Sequence, residues 1–281
     1  MLLIVAAVLW SLNGPGVKLV ADVSPTAFAM WRSAGAAVVA LLLLPAIRPR
    51  LRESHVWPPM GRLLIAGLLY TANVTLLVAA LRYGTAARAI LLQYTGPIWV
   101  AIFGRLLFGT TFGRRTAIAL GLASVGVLVM LLHTPGGAFA TGCGLASGAC
   151  YGGTILAIDR LKVGERPVDP AATVLGLNVL AAAILLPLTF TSDGPGLPIG
   201  VASFLLIFGV LQLAVPYALF QIALPKVGPL DASLIVLLEP VLNPVWTFFA
   251  VREVPDGPTL IGGALLLTAM LVEAFKPRRA R

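Results

Sequence analysis

The sequence predicts an all-α membrane protein of ten transmembrane helices in two inverted five-helix repeats, with the N- and C-termini both cytoplasmic. Three observations carry this. The 281 residues are 59% hydrophobic and 11% charged, with a mean hydropathy of +0.97, whereas soluble chains average about 25% charged residues. Apolar runs long enough to cross a bilayer follow one another with short connectors and no inserted soluble domain. A set of landmarks also recurs in the same order in the two halves of the chain.

Taken in order, the predicted spans are roughly 1–20, 26–46, 62–81, 86–108, 115–133, 139–159, 170–189, 199–223, 230–250 and 258–275, separated by charge or by Pro/Gly. The chain opens on MLLIVAAVLW without a basic region or a small-residue cleavage site, so the first run is expected to be a span and not a removable signal. Basic residues set the orientation. A cytoplasmic N-terminus places fourteen of them inside: Arg48, Arg50, Arg52, Arg62, Arg114, Arg115, Arg160, Lys162, Arg166, Lys226, Lys276, Arg278, Arg279 and Arg281. Four, Lys18, Arg82, Arg88 and Arg252, fall at or near the outer surface, and Arg32 and Arg105 lie within spans. The net charge of +9 is thus dispersed among connectors as a topology signal, and nucleic acid is not an expected partner.

The repeat is visible in paired landmarks. Trp10 matches Tyr151, Ser24-Pro25 matches Asp169-Pro170, Gly84 matches Gly228 and Pro97 matches Pro240, at offsets of 141, 145, 144 and 143. Thr110 and Glu253 each follow their proline by thirteen residues and close the helix. The repeats are assigned to 1–134 and 139–276, followed by a basic tail 277–281. Five spans is an odd number, so the second copy enters the membrane from the opposite side, the usual basis of alternating access.

The fourth and ninth spans are the most informative. TAARAILLQYTGPIWVAIFGRLLFG (Thr85 to Gly109) and PLDASLIVLLEPVLNPVWTFFAVRE (Pro229 to Glu253) are each interrupted at mid-depth by proline beside polar groups. Proline frees a carbonyl one turn back, and a polar side chain at that depth needs protein, water or a ligand against it. Pro97 and Pro240 are therefore the expected gating hinges, with Gln93, Tyr94, Glu239 and Asn243 beside them.

Few other groups within spans can meet a hydrophilic solute. Asn13, in Asn-Gly-Pro-Gly, marks a distorted first helix whose freed carbonyls either bind a solute or serve as a packing kink. Arg32 is roughly 10 Å deep at 1.5 Å per residue, and either holds a carboxylate, snorkels, or pairs structurally with Glu239 or a backbone carbonyl. Glu239 is open to three roles: proton carrier, contact for a substrate ammonium, or member of a structural ion pair. Asn73, Tyr70, Asn178, Gln212, Tyr217 and Gln221 extend a polar lining, although any one amide also serves to join helices at about 1 kcal/mol. Trp10, Trp99, Tyr151 and Trp246 can wall a cavity, whereas Trp31 and Trp57 fit an interfacial belt. Gly144, Gly148 and Gly152, and Gly262 with Gly263, read as close-packing faces.

Cys143 and Cys150 lie seven apart on one apolar segment, and His55 and His133 sit at segment ends, so no metal site is expected. There is no phosphate-binding glycine loop, no His-Glu-x-x-His and no assembled nucleophile set, so neither a cofactor nor an enzymatic activity is expected. The charged connector 159–169, with Asp159, Glu165 and Asp169, is the one weak candidate for membrane-embedded catalysis, and a solvated loop explains it better.

LWSLNGPGVKL at 9–19, SPTAFAMWR at 24–32, ALRYGTAARA at 80–89, ALPKVGPLDASL at 223–234, LLEPVLNPVWTFF at 237–249 and REVPDGPTLIGGALLL at 252–267 together span nearly the whole chain. This layout resembles the EamA branch of the drug/metabolite transporter superfamily. The resemblance implies a secondary transporter in the plasma (inner) membrane of a bacterium, exporting amino acids or related metabolites, with multidrug efflux as the alternative. Its small-molecule substrate would sit between the halves. Arg32 and Glu239 would be its opposite-charge contacts, Asn73, Gln93, Tyr94 and Asn243 polar orienting groups, Trp10 and Tyr151 walls, and Asn13 a further contact. The bilayer is the expected surrounding, proton coupling is open, and the oligomeric state is not specified. One departure is Thr110, where the family usually has Glu; Glu253 is accordingly read as a helix-end residue.

Overall fold

The computed structural model describes residues 1–53, 58–111, 113–133, 137–161, 168–192, 196–223, 227 and 229–275. These residues form helices joined by short links, with no β-strand among them. The first predicted span is two helices, α1 (Leu2–Ser11) and α2 (Asn13–Leu19), followed by α3 (Pro25–Glu53) and α4 (Met60–Tyr83). The fourth span is also two, α5 (Ala86–Gln93) and α6 (Gly96–Phe108), and α7 (Arg114–Leu131) completes the first half. The second half holds α8 (Gly137–Asp159), α9 (Pro170–Ser192) and α10 (Ile199–Gly209), which runs through a π-helical stretch, Val210–Ala214, into α11 (Val215–Ala223). A second broken pair, α12 (Pro229–Val236) and α13 (Leu238–Val251), precedes α14 (Gly257–Ala274).

Among the described residues, nine helical segments are long and apolar enough to cross a membrane. The sixth predicted span, α8, is not one of them. It is 23 residues long, but glycine, alanine, serine and threonine occupy most of it. Its small side chains serve packing against other helices more than contact with lipid.

The predicted interruptions are present, with the prolines in a different role. Helix α1 stops at Ser11 and Leu12 is the hinge, so Asn13, Gly14 and Pro15 form the first turn of α2. Tyr94 and Thr95 make the turn between α5 and α6, and Pro97 lies in the first turn of α6. Leu237 separates α12 from α13, with Glu239 and Pro240 in the first turn of α13 and Pro244 farther inside it. Pro15, Pro97 and Pro240 therefore lie in the first turn of each second piece, where a missing N–H costs little, while Pro244 and Pro187 sit inside α13 and α9.

Helix pairing follows the glycines. Helix α8 packs on α4, α5 and α6; α3 packs on α9 and α10; α7 packs on α14; α1 meets α11, α12 and α13, and α2 meets α13. Gly126 and Gly262 bring α7 and α14 together, each facing the other's carbonyl. Gly35 faces the Leu206 carbonyl and Gly209 the Arg32 carbonyl, so α3 and α10 cross with backbones in contact.

An apolar core encloses a set of buried polar groups, and the outer surface is also largely apolar. Arg32, Asn13, Asn73, Asn178, Gln212 and Asn243 are buried, while Leu42, Leu107, Leu128, Leu132 and Phe249 are exposed. That arrangement fits a hydrocarbon solvent. Arg88, near the start of α5, is 2% exposed. Helix α5 is enclosed by α4, α8, α13 and α14, and its whole length is drawn inward with them. Cys143 is a buried free thiol, as expected of a small packing residue. His55, Trp57, Lys162, Glu165, Arg166, Lys226, Gly228, Lys276 and the basic tail 277–281 lie outside the described residues.

Helices α6 and α13 both end on a left-handed residue, Gly109 at φ 64° and Arg252 at φ 59°. Glycine accepts that conformation freely, whereas a residue with a Cβ loses about 1–2 kcal/mol. Nothing lies within 4 Å of a Cβ built on Gly109, so Gly109→Ala isolates the backbone cost. It is expected to lower stability by about 1 kcal/mol and Arg252→Gly to raise it by a similar amount, read as opposite shifts of the thermal unfolding midpoint in detergent.

Candidate functional site

The two helix breaks face each other across the interior. At the α5–α6 turn, Tyr94 Oη donates to Glu239 Oε2 at 2.8 Å, and Glu239 occupies the first turn of α13. This one bond joins the broken helices. One residue earlier, Gln93 Nε2 donates to Asn73 Oδ1 at 3.0 Å, and Ser147 Oγ of α8 donates to the same oxygen at 2.9 Å. The break is thereby tied to α4 and α8.

Arg32, 1% exposed, lies on α3 beside the first-helix hinge. Its Nη1 donates to Asn13 Oδ1 at 2.8 Å and to Gln212 Oε1 at 3.2 Å, and Gln212 Nε2 donates on to the Trp10 carbonyl at 3.2 Å. Gln212 sits in the π-helical stretch, where the wider turn gives its backbone a register that a plain α-helix would not. Among the described residues the Nε of Arg32 has no hydrogen-bond partner. The ion pair between Arg32 and Glu239 that the sequence left open is not formed: each is held by neutral groups.

Tyrosines stand near both charges. Tyr217 of α11 lies within electrostatic range of both Arg32 and Glu239, Tyr70 of Arg32, and Tyr151 of Glu239. Tyr70 Oη donates to Asn178 Oδ1 at 3.1 Å, joining α4 to α9. Trp10 stands edge-on to Tyr217 with ring centroids 5.1 Å apart and lies 5.6 Å from Phe220. Tyr151 covers the start of α6, its ring 2.7 Å from where a Cβ on Gly96 would be, and is 37% exposed.

Of the sequence-derived set, Trp10, Asn13, Arg32, Tyr94, Tyr151 and Glu239 cluster around the two charges, and Asn73 and Gln93 support the α5–α6 turn. Pro97 opens α6 just after the turn that holds Tyr94, and Pro240 lies beside Glu239 in the first turn of α13. Asn243 stands apart: fully buried, it packs on Gly14 of α2, and among the described residues neither amide atom has a hydrogen-bond partner. Gln212 and Tyr217, seen from sequence only as lining, are direct partners of Arg32 and Trp10. Ser147 was missed because a serine within a small-residue helix ordinarily bonds its own backbone. Trp246, seen as a wall, ties α13 to α1 through Nε1 donating to Ser11 Oγ at 2.9 Å.

The EamA-like transporter family matches residues 1–132 and again 139–273. The chain belongs to the EamA-like transporter family. With its many apolar helices, this EamA protein is an integral membrane transporter of the drug/metabolite transporter superfamily. It is 29% identical over 198 residues to an uncharacterized transporter of Archaeoglobus fulgidus, covering 69% of each chain. It is 27% identical over 203 residues to the threonine/homoserine exporter RhtA of Salmonella typhimurium, covering 68% of this chain and 63% of the exporter. Against RhtA of Escherichia coli K12 it is 28% identical over 195 residues, covering 65% of this chain and 60% of the exporter. A solved crystal structure shares the fold, with a TM-score of 0.60 at 20% identity over 97% of this chain and 94% of that one.

The site's shape rests on the glycine face of α8. Gly148 abuts Thr95 and stands 2.7 Å, at its would-be Cβ, from the Leu92 carbonyl, whereas nothing lies within 4 Å of a Cβ on Gly142. Gly148→Ala is expected to cost about 1–3 kcal/mol by pushing α8 off the break, and Gly142→Ala to be neutral. Denaturation of the two variants in matched detergent checks the difference.

Proposed function

We propose that this EamA transporter is a secondary transporter that exports amino acids or related small zwitterions across the plasma (inner) membrane of a bacterium by alternating access. The observation that carries it is one buried guanidinium and one carboxylate, each held by neutral partners and both within electrostatic range of Tyr217. A zwitterion supplies both missing countercharges. Its carboxylate docks on the Nε edge of Arg32, where a planar fork accepts two oxygens. Its ammonium lies toward Glu239 and the faces of Tyr151 and Tyr217, which favour a cation. Asn13 and Gln212 hold Arg32 in place while the site is free of substrate, and Asn73 and Gln93 orient the α5–α6 turn. The threonine/homoserine exporters among the relatives support an amino acid as cargo.

The architecture proposed with it is ten spans in two inverted repeats, 1–134 and 139–276, with both termini and the tail 277–281 cytoplasmic. The packing supports this pairing. Helices α3 and α9, second in their halves, pack together, as do α7 and α14, fifth in theirs. The contact of α4 with α8 is matched by that of α11 with α1. The left-handed ends at Gly109 and Arg252 are 143 residues apart, the same offset as Pro97 and Pro240. Helix α8 is then the sixth of the ten spans, buried enough among its neighbours to tolerate its low hydropathy. Pro97 and Pro240 hinge the gates, and Glu239 is the group through which protons couple.

Counterflow of labelled threonine and homoserine into proteoliposomes tests this. The parent protein is expected to exchange them, with Arg32→Ala and Glu239→Gln each slowing exchange by about tenfold or more, the weight of one charge-assisted contact. Unchanged exchange in both folded variants contradicts the site. Accumulation that follows an imposed pH gradient in the parent and not in Glu239→Gln supports proton coupling. Exchange blocked by hydrophobic cations, with no amino-acid flux, supports multidrug efflux instead.

A further inference from the structure

At one end of the bundle, the α13–α14 link meets the end of α2 and the start of α5. Arg252, in its left-handed conformation, turns the chain so that Glu253 points back at the first half. Glu253 Oε1 accepts the backbone N–H of Ala86 at 2.6 Å, and its Oε2 lies 2.8 Å from Lys18 Nζ. Lys18 also donates to the Gly84 carbonyl at 2.7 Å. Ala86 opens α5, so its N–H has no acceptor within the helix, and a negative charge there is favoured by the helix dipole. Both side chains of the pair are 18% exposed, which leaves the interaction less screened than a surface pair.

The two bonds of Glu253 cross from the second half of the chain to the first, and the Lys–Glu pair itself is not repeated in the sequence. At the repeat offsets, the mates of Lys18 and Glu253 are Asp159 and Thr110, an acid and a hydroxyl, which cannot form an ion pair with each other. Thr110 is exposed, and its N–H bonds the Gly104 carbonyl within its own half. The strained Arg252 adds to the asymmetry, since its mate Gly109 adopts the same turn without cost.

We propose that Lys18, Glu253 and the amino end of α5 form a gate latch that holds the two halves together at this end of the bundle, biasing the transport cycle toward the state closed here. The latch rests on the alternating-access reading above. Opening this end separates α2 and α5 from the α13–α14 link, and the two charge-assisted hydrogen bonds of Glu253 break together. Lys18 and Glu253 act through the position of the helices and need not touch the cargo.

Spin labels on Ala21→Cys and Val254→Cys, in a Cys143→Ala/Cys150→Ala background reconstituted in liposomes, read the gap across the latch by pulsed dipolar spectroscopy. With the pair intact, one short distance is expected to dominate. Lys18→Met and Glu253→Gln are each expected to raise a longer-distance population about tenfold, and Lys18→Arg, which keeps the charge, to leave the short one in place. Glu253→Gln retains an acceptor for the Ala86 N–H, so it separates loss of charge from loss of folding. Unchanged distances in both neutral variants, or a shift in Lys18→Arg equal to that in Lys18→Met, would overturn the latch. Counterflow on the same samples reads the transport reading independently: lengthened distances with no flux of any solute support the latch and defeat transport, and flux with unchanged distances does the reverse.

Discussion

A helix that breaks inside an apolar solvent exposes backbone groups that lipid cannot satisfy, so something in the protein must cover the break. The rest of this structure depends on that constraint. The turn at Tyr94 and Thr95 is covered by the glycine face of α8, with Gly148 on the Leu92 carbonyl and Gly152 on the Gly96 carbonyl. The start of α13 is covered by α1 and α2, which are themselves hinged at Leu12. A helix that approaches this closely needs small residues, and small residues make it less hydrophobic. That is why α8 falls below its neighbours as an apolar span while packing against three of them.

The same breaks supply the chemistry. Arg32 and Glu239 can remain in the interior because Asn13, Gln212 and Tyr94 give them charge-assisted hydrogen bonds. These partners are neutral, and a direct salt bridge between the two charges would have filled the space that a zwitterion is proposed to enter. The tyrosines near them provide polar edges and cation-favouring faces without adding fixed charge. The end of the bundle carrying Lys18 and Glu253 differs: there the opposite charges meet directly, and the contact joins the halves.

Much of this was legible in sequence because membrane folding leaves plain marks. Long apolar runs give spans, proline beside polar residues gives the interrupted helices, and duplicated landmarks point to related halves. Arg32, Tyr94 and Glu239 stand out because ionisable or hydroxylated groups at such depth need a partner. What sequence left hidden depends on which faces meet. Arg88 sits near the start of a span, and its burial shows only once α5 is seen enclosed. Gln212 and Ser147 acquire partners from helices distant in the chain. Glu253 looks like a helix-end residue, which it is, but its bond to Ala86 depends on the left-handed turn at Arg252 and on a contact 167 residues away. Pro15, Pro97 and Pro240 also follow the breaks and lie in the first turns of new helices, a distinction of one turn that residue spacing does not resolve.

The most direct test is a structure of the protein with a bound amino acid such as threonine. The account predicts that the ligand lies between α3 and the start of α13, its carboxylate on Arg32 and its ammonium toward Glu239 and Tyr217. A threonine bound elsewhere, or one in this space touching neither charge, would contradict it.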